Sequence, residues 1–212
     1  MSLRIKICGL STPETVEAAV RAGATAVGLV FAPGSPRHIE VGLATTLLDA
    51  VPPGVQRIAV FRHPTPAQVD AIRHLPLDGL QADAEWGGAG VPRGWYFLPA
   101  YRNIPGLVAR LAEVAWSADG EGLEGAFLLD GPRGGGAGVV GDPQRAARAA
   151  RMGRMVLAGG LTPVNVADAI RAVRPFGVDV SSGVEVASGI KDPALIEAFV
   201  SAAREAAAQL GD

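Results

Sequence analysis

Eight short apolar runs recur along the chain, at 3–7, 26–31, 56–61, 77–81, 95–100, 126–129, 154–158 and 178–181. Most are nearly continuous rather than alternating, the pattern of strands covered on both faces in a parallel sheet. The intervals between them leave room for a helix. Helix starts agree with that spacing. Thr12-Pro13, Thr65-Pro66, Asp142-Pro143, Thr162-Pro163 and Asp192-Pro193 each set a capping side chain before a proline. Proline suits the first helical position, because the amide it lacks would be unbonded there. After Pro163, the residues Val166, Ala169, Ile170 and Val173 fall at i, i+3, i+4 and i+7; after Pro193, Leu195, Ile196, Phe199, Val200 and Ala203 form one stripe. Both patterns predict amphipathic helices lying on a sheet. The alternation predicts an α/β fold, a single (β/α)8 barrel of eight parallel strands over residues 1–212, with an open doubly wound sheet as the alternative. Between Ala82 and Arg93, Gly and Pro leave room for only a short helix.

Composition narrows the function. The 212 residues are 49% hydrophobic, which excludes a disordered chain. Nineteen basic against 21 acidic residues give a net charge of −2, so no electrostatic case exists for nucleic acid or an anionic membrane. One cysteine excludes an internal disulfide and a multi-cysteine metal site, and fits a reducing cytoplasm. The first ten residues lack the apolar stretch of a signal peptide, and no run of about 18 apolar residues predicts a membrane span.

In a barrel, chemistry gathers at the C-terminal strand ends. Side chains alternate along a strand, so Ile5 and Ile7 oppose Lys6 and Cys8, Phe127 and Leu129 oppose Leu128 and Asp130, and Val178 and Val180 oppose Asp179 and Ser181. With the apolar sets facing the helices, the mouth receives Lys6, Cys8, Asp130, Asp179 and Ser181. Lys6 against Asp179 or Asp130 would neutralise part of the charge, and Lys6 can lower the thiol pKa of Cys8. Gly159-Gly160 and Ser181-Ser182-Gly183, after strands 7 and 8, read as a phosphate cradle of amides and hydroxyls, with a short extra helix starting at the second. The run Gly136-Ala137-Gly138-Val139-Val140-Gly141 matches G-x-G-x-x-G, but no strand precedes it directly and no acid follows about 20 residues on. It reads instead as a glycine loop over the mouth. No G-K-[ST] occurs, and His38, His63 and His74 are too scattered for a metal site.

These residues resemble the phosphoribosylanthranilate isomerase family of tryptophan biosynthesis. The resemblance is carried by Lys6-Ile7-Cys8-Gly9-Leu10, Gly28-Leu29-Val30-Phe31 with Ser35-Pro36-Arg37, Ala59-Val60-Phe61 and Leu129-Asp130-Gly131. It continues in Leu157-Ala158-Gly159-Gly160-Leu161, in Pro163, Asn165 and Val166, in Val178-Asp179-Val180-Ser181-Ser182-Gly183-Val184-Glu185 and in Lys191-Asp192. It implies an aldose–ketose isomerase that rearranges N-(5-phosphoribosyl)anthranilate without cofactor or metal, as monomer or homodimer. It implies Cys8 as general base, Asp130 as general acid, Arg37 on the anthranilate carboxylate and Asp179 beside the substrate. A bell-shaped pH profile is then expected, rising with the thiolate and falling with the acid. Two departures stand out: Leu80-Gln81-Ala82-Asp83 where the family has Leu-His-Gly, and Ala137 followed by Val139-Val140 where it has threonine and aromatics. On the residues alone, another phosphosugar barrel enzyme and a non-catalytic phosphosugar-binding barrel stay open.

Overall fold

A computed structural model describes residues 3–114, 121–133 and 141–210. Eight parallel strands close into a barrel in chain order: β1 (Arg4–Cys8), β2 (Ala26–Val30), β3 (Gln56–Val60), β4 (Gly79–Asp83), β5 (Tyr96–Arg102), β6 (Phe127–Asp130), β7 (Met155–Leu157) and β8 (Gly177–Val180). The ring closes where β8 pairs β1, with Lys6 opposite Asp179. The helices among the described residues are α1 (Pro13–Ala22), α2 (Val41–Asp49), α3 (Pro66–Ile72), α4 (Leu107–Ala112), α5 (Pro143–Ala150), α6 (Val166–Val173) and α7 (Pro193–Leu210). After β4 there is only a 3-10 turn, Ala84–Trp86, as the Gly and Pro content there predicts. A hairpin of β9 (Glu185–Ala187) and β10 (Ile190–Lys191) precedes α7.

Caps explain where the helices start. Thr12 accepts from the amide of Thr15, Asp142 from those of Gln144 and Arg145, and Thr65 forms a reciprocal capping box with Gln68, each ahead of proline. Thr162-Pro163 behaves differently. The Thr162 amide donates to Asn165 Oδ1 and the Asn165 amide to Thr162 Oγ1, so these residues fold into a turn and α6 begins at Val166. The expected start at Pro163 is therefore three residues early.

The barrel has two apolar layers. Ile5, Ile7, Val27, Leu29, Phe127, Leu129, Val178 and Val180 join the core between strands and helices. Cys8, Val30, Ile58, Val60, Leu98, Leu128 and Val156 fill the barrel interior. The alternation read from the strands is thus realised, and the inner-facing polar residues end up at the mouth. Among the described residues no helix is long and apolar enough to cross a membrane.

Candidate active site

The C-terminal strand ends enclose a cavity of about 570 Å³. Its lining includes Cys8 from β1, Asp130 from β6, Asp179 and Ser181 at β8, Arg37 from the loop after β2, and Gly159, Gly160, Ser182 and Gly183 from the loops after β7 and β8. These nine residues, singled out from the sequence, therefore meet at one place; Lys6, expected at the mouth with them, is absent from the lining and fully buried. The glycine-rich stretch 134–140, read as a loop over the mouth, lies outside the described residues.

Lys6 and Asp179 form an ion pair at 2.7 Å, with side chains only 1% and 8% exposed. Gly28 on β2 makes room for Lys6 and Cys8: a Cβ there would stand 3.0 Å from Cys8 Sγ and 3.1 Å from Lys6 Nζ. Burial alone would discharge Lys6, but Asp179 and Cys8 offset it and its pKa is raised, so the ammonium stays charged. Burial also pushes the Cys8 thiol up, and the Lys6 charge opposes this without reversing it. Lys6 thus lowers the thiol pKa as expected, but enclosing the sulfur costs its charged form more than the ammonium returns, and the net shift is upward.

Asp130 is 9% exposed. Burial pushes its carboxyl up to about 6; the Gly131 amide, donating to Oδ1 at 2.7 Å, pulls the other way, and Asp179 adds to the rise. Gly159 lies against this carboxyl. Its φ is +81°, and a Cβ there would stand 2.8 Å from Asp130 Oδ1 and collide with the Gly131 amide. Glycine is required both for the left-handed backbone and for the close approach.

The glycine loops are held from outside the cavity. Asn165 Nδ2 donates to the Gly160 carbonyl at 2.9 Å, and Lys191 Nζ donates to the Ser181 carbonyl at 2.9 Å. Gly183 packs so closely on the Leu161 carbonyl that any side chain would strike it. Among the described residues no acceptor takes the amides of Gly160, Ser182 or Gly183. The expected short extra helix is a single 3-10 turn, Ser182–Val184. Amides presented this way suit a phosphate group.

Arg37 is not a solvated turn residue. Its Nε and Nη2 donate to the two carboxylate oxygens of Glu185 at 2.6 and 2.8 Å, and its side chain is mostly enclosed. Glu185 also accepts from Lys191 and from the Gly189 amide. Burial would raise the Glu185 pKa, but the bonds from Arg37 and Lys191 bring it down to about 2.

Several lining residues carried no clear sequence signal as site residues. Arg62, Gln81, Asp83, Arg102 and Arg133 all line the cavity. Asp83 approaches Arg102 at 3.8 Å and His63 at 3.2 Å. Arg102 lies beside Asp130 in the β5–β6 register. The arginines give the mouth a cationic wall for an anionic ligand.

The chain is similar to known proteins along nearly its whole length. Residues 115–202 match the model of the N-(5'phosphoribosyl)anthranilate isomerase family. It is 42% identical to the N-(5'-phosphoribosyl)anthranilate isomerase of Thiobacillus denitrificans, over 96% of this chain and 99% of that one. To the enzyme of the same name from Dechloromonas aromatica it is 43% identical, covering 97% and 98%. Among solved structures, the phosphoribosyl anthranilate isomerase from Thermotoga maritima superposes with a TM-score of 0.79 at 32% identity, covering 96% and 99%. An isomerase of that name in complex with reduced 1-(o-carboxyphenylamino)-1-deoxyribulose 5-phosphate also superposes at 0.79, with 31% identity and the same coverage.

Proposed function

The chain belongs to the N-(5'-phosphoribosyl)anthranilate isomerase family, which makes it an aldose–ketose isomerase of tryptophan biosynthesis, and from that premise we propose a division of labour at its mouth. The substrate is N-(5-phosphoribosyl)anthranilate and the product 1-(2-carboxyphenylamino)-1-deoxyribulose 5-phosphate. Asp130 gives a proton to the ribose ring oxygen as the C1–O bond breaks, leaving an iminium at C1. Cys8, as thiolate, then takes the C2 proton and yields an enolamine. That intermediate becomes the ketone as its hydroxyl loses a proton and C1 gains one. One proton is given and one taken, so the reaction is a net isomerisation and the residues are restored by exchange with solvent.

The residues suit these roles. A carboxyl raised to about 6 is protonated in a useful fraction near neutrality, as a general acid requires. The charged Lys6 beside Cys8 favours the thiolate against the cost of burial. The amides after Gly159 and around Ser182 and Gly183 bind the phosphate, and Asp179 keeps Lys6 charged beneath the sugar. Arg37 binds the anthranilate carboxylate through Nη1, the nitrogen that Glu185 does not hold.

The observation that carries this reading is the joint lining of one cavity by Cys8, Asp130 and the glycine loops after β7 and β8. The test is direct. Purified protein is mixed with freshly made phosphoribosylanthranilate, and the anthranilate fluorescence is followed. Conversion to the ribulose phosphate is expected, with competition by inorganic phosphate. Absence of turnover at enzyme concentrations comparable to substrate would overturn it.

A further inference from the structure

Glu185 and Lys191 fall within the segments that carry the family resemblance, yet neither lines the cavity. Their side chains, on the hairpin of β9 and β10, are only 4% and 0% exposed. Two residues that do line the cavity are tied to them. Arg37 Nε and Nη2 donate to Oε1 and Oε2 of Glu185 at 2.6 and 2.8 Å. Lys191 Nζ donates to Glu185 Oε1, to the Ser181 carbonyl at 2.9 Å and to Ser181 Oγ at 3.2 Å. One carboxylate thus joins the loop after β2 to the end of β8, where the Ser182 and Gly183 amides follow. The hairpin tip packs on the same loop: the Gly189 amide donates to Glu185 Oε2 at 3.2 Å, and any side chain on Gly189 would strike the Pro36 carbonyl. Arg37 and Ser181 also meet at Gly9, where a Cβ would stand 2.7 Å from Arg37 Cδ and 3.2 Å from Ser181 Oγ.

Such a triad is costly unless it serves the site. A carboxylate on Arg37 weakens the arginine's pull on an anion, and enclosed charges are no cheaper to bury than apolar side chains of the same size. What the triad supplies is geometry. An unheld arginine has many rotamers, and binding must give them up. Here the Nε–Nη2 edge is fixed, so Nη1 keeps one direction. The geometry points to Glu185 as a positioning residue that sets the spacing between the two anion-binding ends of the site: the Arg37 guanidinium and, through Lys191, the Ser181–Gly183 loop. The inference rests on the roles proposed above for those two ends. A substrate with a carboxylate at one end and a phosphate at the other gains from such a link, because both anions are held at once only when the two ends stand at the matching separation.

The test is Glu185→Gln, which keeps the shape but turns an N–H group toward donors that had an acceptor. Two readouts report the two ends: KM for phosphoribosylanthranilate and the inhibition constant of inorganic phosphate. We expect KM to rise about tenfold or more and the phosphate constant about threefold or more, with a smaller fall in kcat, because neither anion takes part in the bonds that change. Glu185→Asp keeps the charge on a side chain one methylene shorter. It should raise both constants as well, and it is the variant to read if Glu185→Gln does not fold. Arg37→Lys should raise KM and leave the phosphate constant within about twofold. A purely structural carboxylate would lower the melting temperature and the active fraction of the Glu185 variants and leave both constants of the folded protein unchanged; that result overturns the inference. So does a rise in only one constant, and so do parental values in Glu185→Asp, which would make charge alone sufficient. A parent protein that is inactive, or that phosphate does not inhibit, overturns the reaction or the cradle proposed above instead, so the two failures are distinguishable.

Discussion

On the wall formed by β8, β1 and the segments packed beside them, the charged groups at the mouth are paired before a ligand arrives: Lys6 with Asp179 at 2.7 Å, and Arg37 and Lys191 with Glu185, all largely enclosed. On the wall formed by β4 and β5, Asp83 and Arg102 approach only to 3.8 Å, the arginine side chain is half exposed, and the Gln81 oxygen has no partner. The first wall is a scaffold: its ion pairs are buried, and losing one member leaves the other uncompensated. The second is loosely held, so its groups can turn toward a ligand at little cost. The proposed base and acid are split between the two sides, with Cys8 on β1 and Asp130 on β6 beside Arg102. A mouth built this way has one side rigid before a ligand arrives and one side free to adjust.

The largest effects are expected at the proposed acid–base pair. Cys8→Ala and Asp130→Asn are each expected to lower kcat by about 10²–10⁴-fold, the usual cost of losing an acid or base. Asp130→Asn separates chemistry from stability. The folded carboxyl titrates at about 6, above the roughly 3.9 of an unfolded chain. The folded state therefore holds more protons between these values, and its stability falls as pH rises through the window by up to about 3 kcal/mol. The asparagine variant lacks that fall. It should melt higher than the parent at pH 8 and close to it at pH 4, and denaturation at both pH values reads the difference.

The same pKa ordering reverses the expected assignment of the pH profile. The thiol titrates above the carboxyl, so the productive form, thiolate with carboxylic acid, is a minor species at all pH values. Its population rises until the carboxyl titrates near 6 and falls only once the thiol does. The acidic limb of kcat/KM therefore reports Asp130 and should move in Asp130→Glu. The alkaline limb reports Cys8 and should leave the measurable range in Cys8→Ser.

Next in size is the paired wall. Asp179→Ala leaves the Lys6 ammonium buried and alone, with an expected cost of about 3–5 kcal/mol in a urea titration. Adding Lys6→Met should restore much of that stability without restoring activity. The smallest effect is on the open wall. Arg102→Gln should change stability by less than about 1 kcal/mol, because its ion pair is long and exposed. A large loss there would erase the contrast between the walls.

Much of this was legible in the sequence. The apolar runs predict the eight strands, and the two-residue period of each strand puts Cys8, Asp130 and Asp179 on the inner face. What was not legible has physical reasons. β4 and β5 run on to Asp83 and Arg102, beyond the apolar stretches that mark them, and a charged strand end looks like a loop. The Arg37–Glu185 bond joins residues 148 positions apart, and only the closed ring brings them together. Neither α2 nor α4 has a side-chain cap hydrogen bond, so neither has the start signal of the capped helices. Thr162 misled in the other direction, because Asn165 draws it into a turn before the helix begins.

Cys8 is the chain's one cysteine, enclosed in the wall of the cavity. A reagent that counts thiols therefore counts mouths, one equivalent per chain, and the fraction shielded by a phosphosugar is the fraction occupied. The same solitude governs the response to oxidants. A sulfenic acid formed at Cys8 finds no second thiol in the chain to trap it as an internal disulfide, so its return to the working state depends on a thiol from outside.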